Sequence, residues 1–203
     1  MNKKGVLIVL SGPSGAGKDT VLKELLQKDQ NIKLSVSATT RAPRQDEKHG
    51  EDYYFISRAE FIQLLSKNQV LEHAEYCGNY YGTPLYQVEQ WLDKGRDVVL
   101  EIEVQGGAQI RKKCEDAVTI FILPPSIKEL RNRLVSRGTE SQEVIDERMN
   151  HAKAEIESAK YYDYVVVNDS VDNCVNDIYN IIKSEKMKSF RNNSIIEEVL
   201  ENV

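Results

Sequence analysis

The sequence is poor in cysteine and contains no long apolar run. Three cysteines occur in 203 residues, and none has a second cysteine or histidine at metal-ligand spacing: Cys77, Cys114 and Cys174. This usage predicts reduced, buried thiols in a cytoplasmic protein rather than a disulfide framework. Apolar runs such as residues 6–10 are too short for a signal peptide core or a membrane span.

An excess of positive charge is also missing. The formal net charge is −5, from 27 basic and 32 acidic residues. Nucleic acids and anionic membranes require a basic surface, so this balance argues against both as partners while leaving room for a local basic site. Internal repeats and low-complexity linkers are absent too, and the length predicts a single domain, with a homo-oligomer left open.

Short apolar runs alternate with helical patterns along the chain. Residues 6–10 are apolar at every position, and similar runs lie at 98–100, 118–123 and 164–167. Uninterrupted apolar runs are typical of strands buried on both faces. Their alternation with helices predicts a three-layer α/β/α fold around a parallel sheet.

Two stretches interrupt this alternation. Residues 35–90 contain short extended pieces and one helix-like run, which predicts an inserted, mostly β subdomain. Residues 127–153 are arginine-rich and helical in period with a break at 137–139, which predicts a small helical lid. The tail, 184–203, is either frayed or a docking helix for a partner. The core of this single domain over 1–203 then comprises residues 1–34, 91–126 and 154–183.

A glycine-rich loop, SGPSGAGKDT at residues 11–20, follows the first apolar strand and opens a helical stretch. Its glycines allow a tight turn that brings backbone N–H groups against phosphate oxygens, and Lys18 adds charge at the bridging phosphates. The strand before it and the helix after it are the context that a phosphate-binding loop requires. The residues expected to bind a nucleoside triphosphate are Gly12, Pro13, Ser14, Gly15, Ala16, Gly17, Lys18, Asp19 and Thr20.

Asp19 occupies the position where the strict loop pattern has serine or threonine. As a first-turn acid it would be favoured by the helix dipole, by about 0.3–1 kcal/mol, and we prefer this interpretation. The alternative is an outer-shell contact to magnesium through water. Thr20, one residue later, is the hydroxyl candidate for phosphate or metal.

A second anion site is indicated at Arg41 and Arg44, which lie three residues apart around Pro43. Planar guanidinium groups suit bidentate phosphate binding, although a solvated basic loop would have the same composition. Glu72 and several tyrosines downstream add a carboxylate, hydroxyls and rings to the same segment.

Five motifs in this order resemble the guanylate kinase family of nucleoside monophosphate kinases. They are SVSATTRAPR at 35–44, GEDYYF at 50–55, GNYYGTP at 78–84, LEIEVQGG at 100–107 and RGTES at 137–141. The resemblance covers most of residues 5–183 and implies that the insert binds GMP. By that resemblance, the GMP phosphate is held by Arg41, Arg44, Tyr53 and Tyr81. The guanine base is read by Ser37, Glu72 and Thr83.

Two acids two residues apart, Glu101 and Glu103, lie at the carboxyl end of the predicted strand at 98–100, where they should point to one face. The resemblance assigns them to GMP contact and to positioning magnesium-bound water, with Glu101 and Thr20 nearest the metal. The family usually has aspartate at one or both positions, so the longer arm of Glu103 is a departure.

The predicted lid carries four arginines that could stabilise a transferring phosphoryl group: Arg131, Arg133, Arg137 and Arg148. The resemblance selects Arg137 and Arg148 as catalytic partners of Lys18, with Arg131 next. It also places Asn168 at the adenine of ATP, partly through backbone groups.

Glu72 suits a guanine reader on chemical grounds. An ionised carboxylate accepts both N1–H and N2–H₂ of guanine, while Ser37 or Thr83 donates to O6. Adenine presents an acceptor at N1 and would leave the buried charge unpaired. The resemblance therefore implies an enzyme that transfers the γ-phosphoryl group of MgATP to GMP or dGMP. The alternatives are an inactive binding module of the same fold and a kinase of another phosphorylated ribose or nucleotide.

Overall fold

A parallel sheet forms the centre of the protein in a computed structural model that describes residues 4–136 and 142–201. The strands are β1 (Leu7–Ser11), β2 (Ile32–Leu34), β3 (Ala38–Thr39), β4 (Tyr54–Phe55), β5 (Val70–Tyr76), β6 (Asn79–Pro84), β7 (Asp97–Glu101), β8 (Val118–Leu123) and β9 (Tyr164–Val167). The α-helices are α1 (Lys18–Lys28), α2 (Arg58–Ser66), α3 (Leu85–Asp93), α4 (Val104–Lys113), α5 (Ile127–Ser136), α6 (Gln142–Glu157), α7 (Val171–Lys186) and α8 (Asn193–Glu201).

The central sheet has the strand order β2-β7-β1-β8-β9, and every pairing is parallel. Strand β1 is buried at all five residues, and its side chains alternate between two apolar clusters. Ile8 and Leu10 pack with α1 and α7, whereas Leu7 and Val9 pack with α3 and α4. The predicted three-layer α/β/α fold is confirmed.

The second sheet lies within the predicted insert and has the order β4-β3-β6-β5. Helix α2 begins at a capping box, in which Ser57 and Glu60 each bond the other's backbone N–H, and it buries Phe61 against this sheet. This confirms the mostly β character of the insert. The exact boundaries of the insert, the lid and the core stay a prediction.

Strand β5 is tied by three hydrogen bonds to helix α4, which packs on one face of the central sheet. Lys113 Nζ donates to the carbonyl oxygen of Leu71 at 2.8 Å. Gln109 exchanges two bonds with the backbone of His73, at 2.7 and 3.2 Å. The residue between them, Glu72, is therefore held from both sides.

Helices α5 and α6 form the pair predicted as a lid. They share a small apolar cluster: Leu130, Leu134, Ile145, Met149 and Ala152. Arg131 pairs with Asp146 at 2.7 Å across the two helices. The predicted break at 137–139 lies outside the described residues.

The tail continues helix α7 to Lys186 and then forms a 3-10 turn at Ser189–Asn192 and helix α8. The turn is held by Arg191, whose guanidinium donates to the carbonyl oxygen of Asp116. The large apolar side chains of α8 are exposed, including Val199 and Leu200 at 64% and 70%. The segment is thus helical, and its docking to a partner stays a prediction.

The three cysteines are free, but they do not share the predicted burial. Cys174 is buried and Cys114 is half-buried. Cys77 is exposed because it lies in the turn between β5 and β6, with a φ of 48°. Within the described parts of the chain, none of the helices has the length and apolar character needed to cross a membrane.

Candidate active site

The glycine-rich loop connects the carboxyl end of β1 to α1. Gly17 is the N-cap of α1 and has a φ of 91°, a left-handed conformation that favours glycine. A Cβ atom there would lie 2.5 Å from Nδ2 of Asn168. Both the backbone conformation and the close approach therefore require glycine at this position.

Lys18 folds back over this loop. Its Nζ donates to the carbonyl oxygen of Gly12 at 2.7 Å and contacts that of Pro13 at 3.4 Å. Thr20 is exposed in the first turn of the same helix. The ammonium and hydroxyl groups thus flank the N-terminus of α1, which itself favours anions.

Two side chains from distant elements brace the loop at the carbonyl oxygen of Ala16. Asn168, which is buried, donates to it at 2.8 Å. Arg133 donates to it at 3.3 Å and to the carbonyl oxygen of Asn168 at 3.1 Å, while its Nε is held by Glu129. The amide of Asn168 is therefore engaged by the loop, and its backbone N–H donates to the carbonyl oxygen of Leu123 at 2.8 Å. The contact with adenine stays a prediction.

The predicted lid arginines have different positions. Arg148 donates to the hydroxyl of Ser14 and so reaches the loop. Arg131 is paired with Asp146 away from it. Arg137 lies outside the described residues.

Four carboxyl groups lie around Lys18. Glu101 ends β7 beside Asp19; burial and then the charge of Asp19 raise the pKa of Glu101 to about 7. Glu155, on α6, faces Glu103; burial and then that neighbour raise the pKa of Glu155 to about 7. Lys18 opposes both shifts. This group of carboxyls therefore favours the binding of a cation beside Lys18.

The prediction that Glu101 and Glu103 both lie at the end of one strand is wrong. Strand β7 ends at Glu101, and Glu103 is the N-cap of α4 with extended backbone angles. The chain leaves the sheet between them, because the helix must begin within two residues. The two carboxylates still share the surroundings of Lys18.

The acids fit a water-mediated magnesium site better than a direct one. Among residues 4–136 and 142–201, no three histidine, cysteine, aspartate or glutamate side chains are grouped to hold a metal ion. Asp19, Glu101 and Thr20 nevertheless offer hard oxygen donors at the phosphate loop. Magnesium prefers oxygen ligands and keeps several waters when phosphates supply the rest, so the donor set suits it.

Glu72 and Thr83 are buried side chains in contact with each other. Glu72 is 5% exposed, and the Thr83 hydroxyl donates to its Oε1 at 2.7 Å. A Cβ atom at Gly106 would lie 2.6 Å from Oε2. Burial raises the pKa of Glu72, and the bond from Thr83 opposes the shift. Ser37 is half-buried just before β3, with its carbonyl oxygen bound by the N–H of Tyr54.

The predicted phosphate-binding residues gather at one end of the second sheet. The rings of Tyr53 and Tyr81 lie 6.1 Å apart, and the guanidinium of Arg41 lies 5.6 Å from the centre of the Tyr53 ring. Glu47 accepts from Arg41 at 2.8 and 2.9 Å and from the backbone N–H of Arg44 at 2.8 Å. The Arg44 side chain is exposed in the same loop.

Comparison with known proteins identifies the family. The family model described as guanylate kinase matches residues 4–185. The chain belongs to the guanylate kinase family. A guanylate kinase of Halalkalibacterium halodurans is 53% identical over 189 residues, covering 93% of each chain. One of Clostridioides difficile is 50% identical over 196 residues, covering 97% of this chain and 96% of the relative.

A crystal structure of guanylate kinase from Anaplasma phagocytophilum has the same fold. It matches this chain with a TM-score of 0.75 at 42% identity, covering 94% of this chain and 90% of that one. Neither alternative function considered from the sequence gains support from these relatives, which are all guanylate kinases.

Three residues at the site of this guanylate kinase family member were not selected from the sequence. Arg133 was considered among the lid arginines but was not selected. Neither Glu47 nor Glu155 was considered as a site residue. Glu47 lies within the basic loop, where its i+3 spacing from Arg44 suggests a turn contact. Glu155 reaches the loop only because helix α6 packs there, which sequence spacing does not indicate.

Proposed function

We propose that this chain transfers the γ-phosphoryl group of ATP to GMP, giving ADP and GDP, with dGMP as a second acceptor. One observation carries the proposal: a buried carboxylate suited to guanine, Glu72, occurs in the same chain as an intact phosphate loop with its lysine. The first provides an acceptor site for a purine that has two adjacent donors. The second provides a donor site for a triphosphate.

At the donor site, backbone N–H groups of residues 12 and 14–17 bind the ATP phosphates and Lys18 neutralises the bridging oxygens. Asn168 and Arg133 keep the loop in shape through the Ala16 carbonyl, and the backbone near Asn168 contacts the adenine. Magnesium, when bound, would be held by ATP phosphates and by waters on Asp19, Glu101 and Thr20, and it withdraws charge from the transferred group.

At the acceptor site, Glu72 accepts N1–H and N2–H₂ of guanine. Because the Thr83 hydroxyl already donates to Glu72, we assign Thr83 to orienting the carboxylate and Ser37 to donating to O6. The GMP phosphate is held by Arg41 and Arg44 with the hydroxyls of Tyr53 and Tyr81, and Glu101 and Glu103 are the further acids assigned to contact with GMP.

Catalysis consists mainly of positioning and cationic stabilisation, because the transferring phosphoryl spreads charge over its equatorial oxygens. Arg148, already at Ser14, joins Lys18 and Arg137 in this role. Closure of the insert (35–90) and the lid (127–153) excludes water, which would otherwise hydrolyse ATP. The cytoplasmic location, the lack of nucleic-acid and membrane partners and any homo-oligomer stay predictions.

The acceptor assignment is tested by measuring ADP formation from MgATP with GMP, dGMP, AMP, dTMP or no acceptor. We expect turnover with GMP and dGMP to exceed that with AMP by at least about 10²-fold, because adenine leaves Glu72 unpaired. Equal rates with all acceptors would contradict the guanine assignment. GMP binding without turnover would instead indicate a binding module.

The role of Asp19 is tested by Asp19→Gly. If Asp19 positions metal-bound water beside Glu101, kcat should fall about tenfold or more and the magnesium concentration for half-maximal rate should rise. If it is only a first-turn acid, kinetics should stay near wild type and the melting temperature should drop slightly. Removing Asp19 should in either case lower the pKa of Glu101, since its charge contributes to the rise.

A further inference from the structure

An acidic residue occupies part of the predicted phosphate-binding loop. Glu47 accepts from both terminal nitrogens of Arg41: Nη1 bonds Oε2 at 2.9 Å and Nη2 bonds Oε1 at 2.8 Å. The two side chains are only 20% and 17% exposed. The pair is thus a bidentate fork shielded from much of the solvent, unlike an isolated surface ion pair.

The fork leaves a defined part of the guanidinium unoccupied. An arginine has five N–H donors, and Glu47 takes one from each terminal nitrogen. The carbonyl oxygen of Ala42 takes a further bond from Nη1, at 2.7 Å. In the described portion of the chain no carboxylate or carbonyl oxygen takes the two that remain, Nε–H and the second N–H of Nη2, and the hydroxyl of Tyr81 lies near enough to act as a hydrogen-bond partner of Arg41. These two donors share one edge, and an edge of this kind matches two oxygens of a phosphate.

The position of Glu47 is itself fixed by the backbone. Its Oε2 also accepts from the N–H of Arg44 at 2.8 Å, and its own N–H donates to the carbonyl oxygen of Arg44 at 3.2 Å. The turn therefore holds the carboxylate whether or not a ligand is bound. The Arg41 guanidinium also lies over the rings of Tyr53 and Phe55, at 5.6 and 5.8 Å from their centres.

Electrostatics agree with a stable ion pair. Arg41 and then the N–H of Arg44 lower the pKa of Glu47, so the carboxylate stays ionised. Glu47 raises the pKa of Arg41, and the hydroxyl of Tyr81 adds to that rise. Tyr81 is one of the two tyrosines proposed for the phosphate, which places the arginine beside the expected ligand.

We propose that Glu47 is a positioning residue that holds the Arg41 guanidinium so that its Nε–Nη2 edge faces the phosphate of GMP. The inference rests on the proposed function. It differs from a competing role, in which Glu47 mimics the phosphate and must leave before GMP binds. A carboxylate that mimicked the phosphate would occupy the Nε–Nη2 edge, whereas Glu47 takes the Nη1–Nη2 end and is anchored to the turn.

The test is steady-state kinetics of Glu47→Gln with GMP and MgATP as substrates. The amide keeps the size but offers only one acceptor, so the fork loses one of its two bonds. We expect the KM for GMP to rise about tenfold, while kcat and the KM for ATP stay within about twofold. Glu51→Gln is the matched control, because Glu51 lies in the same loop and pairs only with exposed Lys48, at 3.2 Å; it should behave as wild type.

A double-mutant cycle identifies the route of the effect. In an Arg41→Ala background, Glu47→Gln should cause no further rise in the KM for GMP, because the group it positions is gone. Binding of guanosine, which lacks the phosphate, should be the same in wild type and Glu47→Gln. If Glu47→Gln folds poorly, Glu47→Asp, which withdraws the charge by one methylene, should give a smaller rise of the same kind.

Three results would overturn the proposal: an unchanged or lower KM for GMP, an undiminished effect in the Arg41→Ala background, or an equal loss of guanosine binding. A lower KM would specifically support the phosphate-mimic role. Wild-type turnover with GMP is measured in the same series, so a failure of the proposed function would be recognised separately from a failure of this inference.

Discussion

Lys18→Ala is expected to reduce kcat for phosphoryl transfer by about 10³-fold while leaving GMP affinity near that of wild type. The Lys18 ammonium lies over the phosphate loop, within 2.7 Å of the Gly12 carbonyl oxygen, where it can follow charge developing on the bridging oxygens. The acceptor pocket belongs to the second sheet and does not include Lys18. Loss of the Lys18 ammonium should therefore lower the rate of phosphoryl transfer and leave acceptor binding unchanged.

The measurement combines single-turnover transfer rates with calorimetric titration of GMP. Lys23→Ala is a matched control, because Lys23 is an exposed lysine one and a half turns along the same helix. It should retain wild-type rates. A transfer rate for Lys18→Ala within about tenfold of wild type would contradict the catalytic role, as would a parallel loss of GMP affinity.

Glu72→Gln is expected to weaken GMP binding by about 10²-fold. Glutamine places an N–H₂ group where the carboxylate had an oxygen, and that group would face a guanine donor. Titration of GMP and guanosine into both proteins measures the effect, which should be similar for the two ligands because the base is the affected part.

A control for Glu72→Gln is available on the same strand. Glu75 is half-exposed and pairs with Arg58 at 3.5 Å, so Glu75→Gln should bind GMP as wild type does. Unchanged GMP affinity in Glu72→Gln would refute the base-reading model. An equal loss in both variants would point to a general disturbance of β5 instead.

The pH dependence of guanosine binding provides a second readout for Glu72. Burial raises the pKa of Glu72, so the carboxylate that accepts both guanine donors is present above that raised pKa. Binding should weaken as pH falls through it, at a higher pH than for an ordinary glutamate. Guanosine avoids the titration of the GMP phosphate, whose second pKa is near 6. The dependence should vanish in Glu72→Gln.

The parts of the fold that the sequence predicted are those encoded locally. The run at residues 6–10, most of which forms strand β1, is apolar at every position and is covered on both faces, and such a run is visible in the sequence alone. The phosphate loop is likewise contiguous, so its residues could be named together. The insert and the helical pair were recognised as departures from the alternating pattern, and both are present.

The parts that sequence reasoning missed depend on contacts between distant segments. The brace on the Ala16 carbonyl joins Asn168 and Arg133 from two elements after the loop. Glu155 reaches Glu103 only through the packing of α6. Side-chain spacing on one helix or strand carries no information about contacts between distant segments, so neither the brace on Ala16 nor the pairing of Glu155 with Glu103 was predicted.

The hydrogen bonds between β5 and α4 determine which part of the protein supports Glu72, the residue proposed to bind the guanine base. The backbone of Leu71 and His73 is hydrogen-bonded to Lys113 and Gln109. Glu72 is therefore supported by helix α4, although it lies in the second sheet. A Cβ atom at Gly106, on the same helix, would lie 2.6 Å from its carboxylate, so the close approach requires glycine there. If Glu72 reads the base as proposed, its carboxylate is held in place without a ligand. The position of the loop that carries Arg41 would then set the span from base to phosphate, and the protein would measure the length of its acceptor nucleotide by that span.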